Sequence, residues 1–323
     1  MENNTKLRPL FLARILAERT DEEHYLTTNQ LIDILNNEFG IPAHRQTIAF
    51  EIKMLQQAGM DIDVQKSVQN RFRYIGRQFD IAELKLLIDA VDSSKFISPK
   101  RSMQLTEKLC ALAGPYKATE FKRNILVEGK VKTSNEKVTF IIDAVNTAIN
   151  RKRKISFLYF HYNEKKNKVY KNDGKPYIFS PYYLVWNGDY YYMVGWSDKH
   201  NKITTFRIDR VVESPEILDQ KAAPKPKDFN INKHINEAFH MFDCDKEAVT
   251  LRCDNDMMDA IIDKFGENVK VKNNSNGTFE ITETVAVSNV FYCWIFGFGG
   301  KVKIIKPDKI MKDYMGLKQN LIN

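Results

Sequence analysis

Arginines set among aromatic side chains are the residues of this chain best suited to chemistry. The segment FRIDR, residues 206–210, places Arg207 and Arg210 close to Phe206. A guanidinium can hold a phosphate through two hydrogen bonds at once, and an aromatic face can stack on a nucleobase. The pattern therefore predicts a site for an anionic ligand. Strict strand alternation would put the two arginines on opposite faces, so they serve one site only if the strand ends or bends between them.

Aromatic residues from neighbouring predicted strands complete this candidate site. Tyrosine rings could stack on a base, and a histidine ring could stack or form hydrogen bonds. The predicted effector-binding residues are Tyr159, His161, Tyr191, Arg207 and Arg210.

Two alternatives remain open for the same segment. The arginines could instead form salt bridges, for instance to Asp209 or Glu213, and we consider this the weaker interpretation. Whether Tyr192 and Met193 line the pocket or the core is the second open question. They are adjacent on one predicted strand, so their side chains face opposite sides of the sheet.

A second group of polar and basic residues lies in the first quarter of the chain. It occupies a predicted third helix and the two β-like runs that follow it. In a winged helix-turn-helix module the third helix enters the major groove and the wing meets the DNA backbone. The competing interpretation is a set of solvated polar positions on a small helical domain. The predicted DNA-binding residues are His44, Arg45, Gln46, Thr47, Lys53, Arg71 and Arg73.

The sequence contains no recognisable catalytic or metal-binding pattern. Its six histidines form no H-x-x-x-H pair, and its four cysteines form no C-x-x-C pair, so buried free thiols are the expected state. The run Gly297-Phe298-Gly299-Gly300 follows a predicted helix and lacks dinucleotide-loop spacing. No phosphate-binding P-loop or nucleophile elbow is present. We therefore expect a protein that is not an enzyme and that uses no cofactor and no metal.

The strongest structural signal is a hairpin in the central part of the chain. Two aromatic runs, Tyr182–Trp186 and Tyr190–Trp196, flank Asn187-Gly188, and Asn-Gly between β-formers favours a tight turn. A helix over 137–150 and a strand over 155–162 precede this hairpin. Between them and the hairpin, the lysine-rich segment 163–175 is typical of a mobile loop, and we expect no site on it.

The apolar spacing on both sides of this centre predicts the domain organisation. Three short helices and a β-wing predict a winged helix-turn-helix over 1–78, and two apolar stripes predict a helical connector over 79–135. The central domain covers 136–220. A Pro- and Lys-rich linker over 221–245 leads to a β-α-β-β-α-β pattern over 246–323, which is ferredoxin-like. The predicted class is a multidomain α+β protein.

Charge and hydropathy indicate which classes of molecule the chain can bind. Residues 136–225 contain 16 Lys and Arg against 10 Asp and Glu, whereas residues 1–78 contain ten of each. The central excess favours an anionic partner. A neutral DNA-binding module must gather its basic residues on one side, and dimerisation would double its phosphate contacts. Neither a membrane helix nor a signal-peptide pattern is evident, so we expect a cytoplasmic protein without a membrane partner.

Three segments, in order along the chain, carry a family resemblance. The third helix reads HRQTIAFEIKMLQQAG. The central sheet contains Tyr191-Tyr192-Met193, flanked by Phe157-Leu158-Tyr159, Ser180-Pro181-Tyr182 and Phe206–Val211. The C-terminal part contains AFHMF and SNVFYCWIFGFGGKVKIIKP, with Trp294, Gly297 and Gly299. The chain resembles bacterial WYL-domain transcriptional regulators. In this chain Tyr191 and Met193 stand in place of the Trp and Leu of the tripeptide that names the family, and Phe50-Glu51 stands where the family commonly has an Arg-Asp pair.

The resemblance implies a winged helix-turn-helix, a central Sm-like β-barrel WYL domain that senses a ligand, and a C-terminal WCX-type extension. It also implies a ligand-responsive transcription factor. The expected partners are double-stranded operator DNA, an anionic effector such as single-stranded nucleic acid or a nucleotide, and a second copy of the chain. The alternative is a nucleic-acid-binding accessory protein of a CRISPR-type defence system or a DNA-repair system.

Overall fold

The structure is a computed structural model that describes residues 4–123, 131–237 and 245–320. The chain divides into two compact units, residues 1–136 and 137–323, called the N-terminal and C-terminal units below. Both combine helices with antiparallel strands. The AFHMF run at 238–242 and Cys244 lie outside the described residues.

The N-terminal unit begins with a helix, a helical hairpin and a small sheet. Thr27 caps the second helix, with its side chain accepting from the Gln30 amide, and Gly40 ends it in the left-handed conformation (φ 64°). The order of the three strands in the sheet is β1-β3-β2. The elements are α1 (Arg8–Arg19), β1 (Leu26–Thr27), α2 (Thr28–Phe39), α3 (Arg45–Gln57), β2 (Ile62–Gln65) and β3 (Arg71–Tyr74).

Apolar residues of these helices and of the sheet form one core. Leu12, Leu31, Ile48 and Phe72 are fully or nearly fully buried, and the β2–β3 hairpin packs its Ile62 into the same cluster. Hydrophobic burial therefore fixes α3 against α1 and α2, with the hairpin following directly as a wing.

Three helices follow, where the sequence predicts a helical connector with two apolar stripes. Asp80 and Ser98 cap the first two through side-chain hydrogen bonds to amides three residues on. Leu84, Ile88 and Cys110 form a small separate core. The helices are α4 (Ile81–Ser93), α5 (Pro99–Leu112) and α6 (Pro115–Arg123).

The C-terminal unit opens with a long helix and a five-stranded antiparallel sheet of order β10-β4-β7-β8-β9. Within the described residues β10 and β9 are the edges of this sheet, so the predicted closed barrel is not seen. The elements are α7 (Val138–Arg151), β4 (Arg153–Phe157), β5 (Phe160–Tyr162), β6 (Lys168–Tyr170), β7 (Tyr177–Asn187), β8 (Tyr190–Ser197), β9 (Lys202–Arg207), β10 (Glu216–Lys221) and α8 (Ile231–Glu237).

Two local features differ from the sequence-based expectations. The predicted strand over 155–162 is two strands, because β4 ends at Phe157 and β5 starts at Phe160. The lysine-rich segment expected to be a mobile loop contains β6, which pairs with β5 from Phe160↔Tyr170 to Tyr162↔Lys168. A second small hairpin therefore stands beside the main sheet.

The central hairpin forms, with its turn one residue later than predicted. Asn187 pairs with Tyr190, which leaves Gly188 and Asp189 as the two turn residues, and Gly188 has a φ of 55°. The third strand, β9, ends at Arg207, and residues 208–210 form a 3-10 turn. The strand therefore ends between the two candidate arginines, and simple alternation does not apply to them.

The last part of the chain follows the β-α-β-β-α-β order, with the antiparallel strand order β12-β13-β11-β14. Its core includes Leu251, Phe279, Phe291 and Ile295. Cys253 is buried in this core, and burial raises the pKa of its thiol to about 12, whereas Cys293 is exposed, contrary to the expectation of buried thiols. The elements are β11 (Lys246–Asp254), α9 (Met258–Phe265), β12 (Val271–Asn273), β13 (Thr278–Ala286), α10 (Asn289–Gly297), β14 (Val302–Lys306) and α11 (Asp308–Asn320).

Candidate nucleic-acid and anion-binding sites

The predicted DNA-binding residues of α3 lie at its exposed start and along its exposed face. His44 is the N-cap residue, and Arg45 donates to the Asn29 side chain on α2 (3.1 Å). Gln46 and Lys53 are exposed, and Thr47 is half-buried. Four of the seven predicted residues therefore lie on α3, and His44 caps its start.

The single carboxylate of α3 faces away from this surface. Glu51 is buried and accepts from Arg8 of α1, with the Arg8 Nε–Glu51 Oε2 distance at 2.9 Å. Arg8 also donates to the Pro42 carbonyl (2.8 Å). The ion pair holds α3 against α1 and keeps negative charge away from the surface that carries Lys53.

The two wing arginines differ in their environments. Arg71 is exposed and has no ion-pair partner among the described residues. Arg73 donates to Asp63 (2.8 Å) and lies over the Tyr25 ring at 4.4 Å. It also donates to the Glu22 carbonyl. Arg73 is thus held within the module, and Arg71 is the better candidate for a phosphate contact.

Arg207 in the C-terminal unit is engaged in internal contacts. Its guanidinium donates to both Asp209 carboxylate oxygens (3.0 and 2.8 Å) and lies 3.3 Å from the centre of the Tyr190 ring. Burial disfavours its charge, but the hydrogen bonds and charge of Asp209 outweigh burial and raise the pKa of Arg207. The salt bridge that sequence reasoning considered the weaker interpretation is the one observed for Arg207.

Tyr159 is part of an interlocked aromatic cluster. Its hydroxyl accepts from the Arg207 amide (3.1 Å), and its ring lies edge-on to Phe206 with centroids 5.1 Å apart. Burial raises the pKa of Tyr159 to about 12. The hydroxyl supports the end of β9, which is a structural role, and the ligand contact of Tyr159 stays a prediction.

Arg210 is oriented differently from Arg207. Its guanidinium lies over the rings of Tyr162 (4.7 Å) and Phe160 (5.6 Å) and forms no ion pair with any described residue. Glu213, one of the suggested partners, pairs with Lys137 (2.8 Å). Because no carboxylate neutralises it, Arg210 can pair with an external anion.

Two lysines of the β5–β6 hairpin share this environment. Lys168 Nζ lies 4.7 Å from the Phe160 ring centre, and Lys171 Nζ lies 6.0 Å from the Tyr159 ring centre. Neither has an ion-pair partner among the described residues. Arg210, Lys168 and Lys171, together with Phe160 and Tyr162, are called the hairpin cation cluster below. Sequence reasoning missed the lysines because it treated their segment as a mobile loop.

The remaining predicted effector residues do not all converge on Arg210. His161 is exposed on β5, within the hairpin. Tyr191 is half-buried on β8. The next residue, Tyr192, pairs with Arg207 of β9, and paired residues of antiparallel strands share a face. Tyr191 and Arg207 therefore project to opposite faces of the sheet. Tyr192 and Met193 are buried, which assigns both to the core.

A second basic region lies at the C-terminal end of α7, where a groove of about 780 Å³ is lined by α7, β4, β7 and residues 221–225. Lys225 donates to the Tyr183 hydroxyl (2.6 Å), and Tyr182 donates to the Pro224 carbonyl (3.2 Å). No carboxylate lines the groove among the described residues. The cations that line it, called the groove cations below, are Arg151, Lys152, Arg153, Lys221 and Lys225.

No metal centre accompanies these sites in the part of the chain that the structure describes, where no three His, Cys, Asp or Glu side chains could hold an ion together. Within the same residues, no helix is both long enough and apolar enough to cross a membrane.

The fold and these sites define a protein with a helix-and-wing module and a basic, aromatic antiparallel sheet. The WYL domain family model matches residues 141–216, and the WCX domain family model matches residues 245–314. The chain therefore contains a WYL domain and a WCX domain. No curated protein gives a significant match to it.

Two solved structures are similar to the chain at low identity. Proteasome accessory factor B/C of Arthrobacter aurescens is 17% identical, with a TM-score of 0.31, over 88% of this chain and 44% of that chain. A CRISPR Cas-related protein is 13% identical, with a TM-score of 0.37, over 91% of this chain and 74% of that chain. The chain therefore spans less than half of the first of these structures.

Proposed function

We propose that this WYL-domain protein is a transcriptional regulator that binds duplex DNA through α3 and the β2–β3 wing. The observation that carries the proposal is the exposed face of α3. It presents Arg45, Gln46 and Lys53 without a carboxylate, since Glu51 is buried against Arg8. A polar, cationic helix followed by a wing matches the geometry by which winged modules enter the major groove.

The contacts in this proposal divide into two kinds. Gln46 and Lys53 point away from the core and would meet base edges, while Arg71 on the wing would meet phosphate. Arg73, already paired with Asp63, contributes less. His44, Arg45 and Thr47 lie at the start of α3, where amides and side chains can contact the backbone beside the groove.

The salt dependence of binding by the full-length chain tests this division. We expect sequence-selective duplex binding that weakens as salt rises, because bound phosphates release counterions. Arg71→Ala should lower the slope of log affinity against log salt by about 0.9, the value for one phosphate contact. Arg73→Ala, the matched control on the same strand, should change the slope less. Absence of salt-sensitive, selective duplex binding by the folded parent chain would overturn the proposal.

We further propose that the WYL domain holds an anionic effector, such as a nucleotide or a short single strand, at the hairpin cation cluster. Arg210 supplies a guanidinium that has no ion pair among the described residues, and the exposed ring of Tyr162 offers a stacking surface. Arg207 is left out of the contact set because Asp209 already occupies its guanidinium.

The groove cations are the competing location for this effector. Binding of a labelled oligothymidine and of a nucleoside triphosphate can be compared in Arg210→Glu and in Lys221→Glu/Lys225→Glu. The hairpin location requires that the first variant lose most of the binding and the second retain it. The reverse result would move the effector to the groove, and equal retention in both folded variants would remove the effector proposal.

A nucleic-acid-binding accessory role is the second candidate, because unpaired cations beside exposed aromatic rings also suit single strands without sequence preference. Competition between duplex and single-stranded DNA separates the two functions. A regulator should prefer one duplex sequence over all single strands, whereas an accessory protein should prefer single strands of any sequence. An enzyme is not proposed, and turnover of a nucleotide panel by the purified chain would contradict that expectation.

A further inference from the structure

Two large apolar side chains lie on the exposed surface of α3. Phe50 is 64% exposed and Met54 is 44% exposed, and neither belongs to the buried core of the winged module. Phe50 lies four residues after Gln46 and three before Lys53, so these three side chains share one side of the helix. The ring is therefore placed among the proposed base-reading residues.

Folding does not account for this placement of an aromatic ring. Exposed aromatic surface forfeits the hydrophobic stabilisation that burial would supply. The residue beside it, Glu51, is the one that points inward and binds Arg8. The register of α3 is fixed by that ion pair and by buried Ile48 and Ile52, which turn position 50 toward solvent. A bound partner is the physical context in which an apolar side chain at this position gains stability.

The charges around Phe50 favour DNA as the partner over another protein surface. The exposed surface of α3 carries cations and amides without a carboxylate, and the wing adds the exposed residues Lys66 and Arg71. This surface complements a polyanion. In the major groove, the apolar group that base pairs present is the 5-methyl of thymine, and phenylalanine is among the side chains that contact it.

We propose that Phe50, with Met54 beside it, packs against thymine methyl groups and makes recognition of the DNA half-site dependent on thymine. The inference rests on the proposed function of α3 as the DNA-reading helix and adds the chemical group that it reads. Gln46 and Lys53 on the same side would supply the hydrogen bonds to neighbouring base edges.

The experiment uses the full-length chain and a random-sequence duplex library, from which the preferred duplex is selected. Each thymine of that duplex is then replaced by deoxyuridine, which lacks the methyl group and keeps every hydrogen-bonding atom. We expect at least one position at which replacement weakens binding about fourfold, the effect of exposing one buried methyl group. At the position that Phe50 contacts, Phe50→Ala should bind the thymine and deoxyuridine duplexes equally, so the two changes are not additive.

Val68→Ala is the matched control, because Val68 is an apolar side chain at the wing tip that is fully exposed (102%). It should keep the deoxyuridine sensitivity of the parent chain. Phe50→Ala should unfold at the same temperature as the parent because its ring lies outside the core. If Phe50→Ala unfolds early, the deoxyuridine series on the parent chain still decides the question.

Failure of the thymine inference can be told apart from failure of the DNA-binding proposal. A selected duplex that binds equally well with deoxyuridine at every position overturns the thymine inference and leaves the DNA-binding proposal standing. A library from which no duplex is enriched overturns both. Phe50→Ala could also change the sedimentation of the protein and keep the parent's ratio of thymine-duplex to deoxyuridine-duplex affinity. That result would assign the ring to a protein contact and would also overturn the inference.

Discussion

At the scale of single residues, the fate of each charge depends on whether a partner lies within reach. Arg207 and Arg210 are three positions apart, yet one is bound to Asp209 and the other lies over Tyr162 without an ion pair among the described residues. Both lie within two positions of Asp209 in the sequence. Proximity of a carboxylate in the folded chain therefore separates a structural arginine from a candidate binding one.

The buried pair of Arg8 and Glu51 gives a prediction at this scale. Their side chains are 13% and 7% exposed, so removing one partner leaves a buried charge unpaired. We expect Arg8→Ala to lower the free energy of unfolding by about 3 kcal/mol. Arg14→Ala, which breaks an exposed pair with Glu18, should cost below about 1 kcal/mol. Denaturant unfolding of both variants checks this, and equal costs would contradict it.

Tyr159 gives a second residue-level prediction, on pH. Its pKa in the folded chain is raised by burial to about 12, above the unfolded value of about 10. The folded state therefore holds its proton more tightly, and the resulting stability is complete below pH 10 and lost as pH rises toward 12. We expect Tyr159→Phe to flatten the fall in stability over that range, as measured by denaturant unfolding at several pH values. An unchanged slope would mean that other groups carry the alkaline loss.

At the scale of elements, close backbone approach decides which substitutions the sheet tolerates. β7 and β8 meet so closely at Gly195 that an added Cβ would lie 2.1 Å from the Ser180 carbonyl oxygen. The pairing shifts register between Pro181 and Tyr183, opposite this glycine. A side chain at position 195 must therefore push the two strands apart.

We accordingly expect Gly195→Ala to destabilise the chain by about 3 kcal/mol or more. Gly297→Ala is the control, since a Cβ there meets no atom within 4 Å, and it should change stability by below about 1 kcal/mol. Thermal unfolding followed by circular dichroism compares the two variants. A Gly195→Ala protein as stable as its parent would show that the strands can separate at little cost.

At the scale of the whole molecule, the proposed function requires that a ligand on one unit change DNA binding by the other. Such coupling is a free energy between two sites, so removing one site should leave the other able to bind. We expect Arg210→Glu to abolish any effector-dependent change in DNA affinity and to leave basal DNA affinity within about twofold. Titration of DNA with and without effector measures this, and loss of basal binding in the folded variant would contradict separate sites.

Local sequence patterns predicted most of the helices and strands and their order. Helical and strand periodicity and the Asn187-Gly188 turn signal act within a few residues, so the helices, the wing and the central hairpin are found close to their predicted places. The misplaced details are boundaries, such as the end of β9 at Arg207, and the small β5–β6 hairpin. Phe160 of that hairpin is buried, and the lysine content of the segment does not indicate this.

Which side chains meet follows from the packing of the folded chain. Asp209 neutralises Arg207, Arg8 turns Glu51 away from the exposed side of α3, and the strands at Gly195 leave no room for a side chain. These contacts join residues through turns, or across 43 positions in the case of Arg8 and Glu51. Local sequence patterns cannot specify such pairs, because packing of the whole unit sets the distances between them.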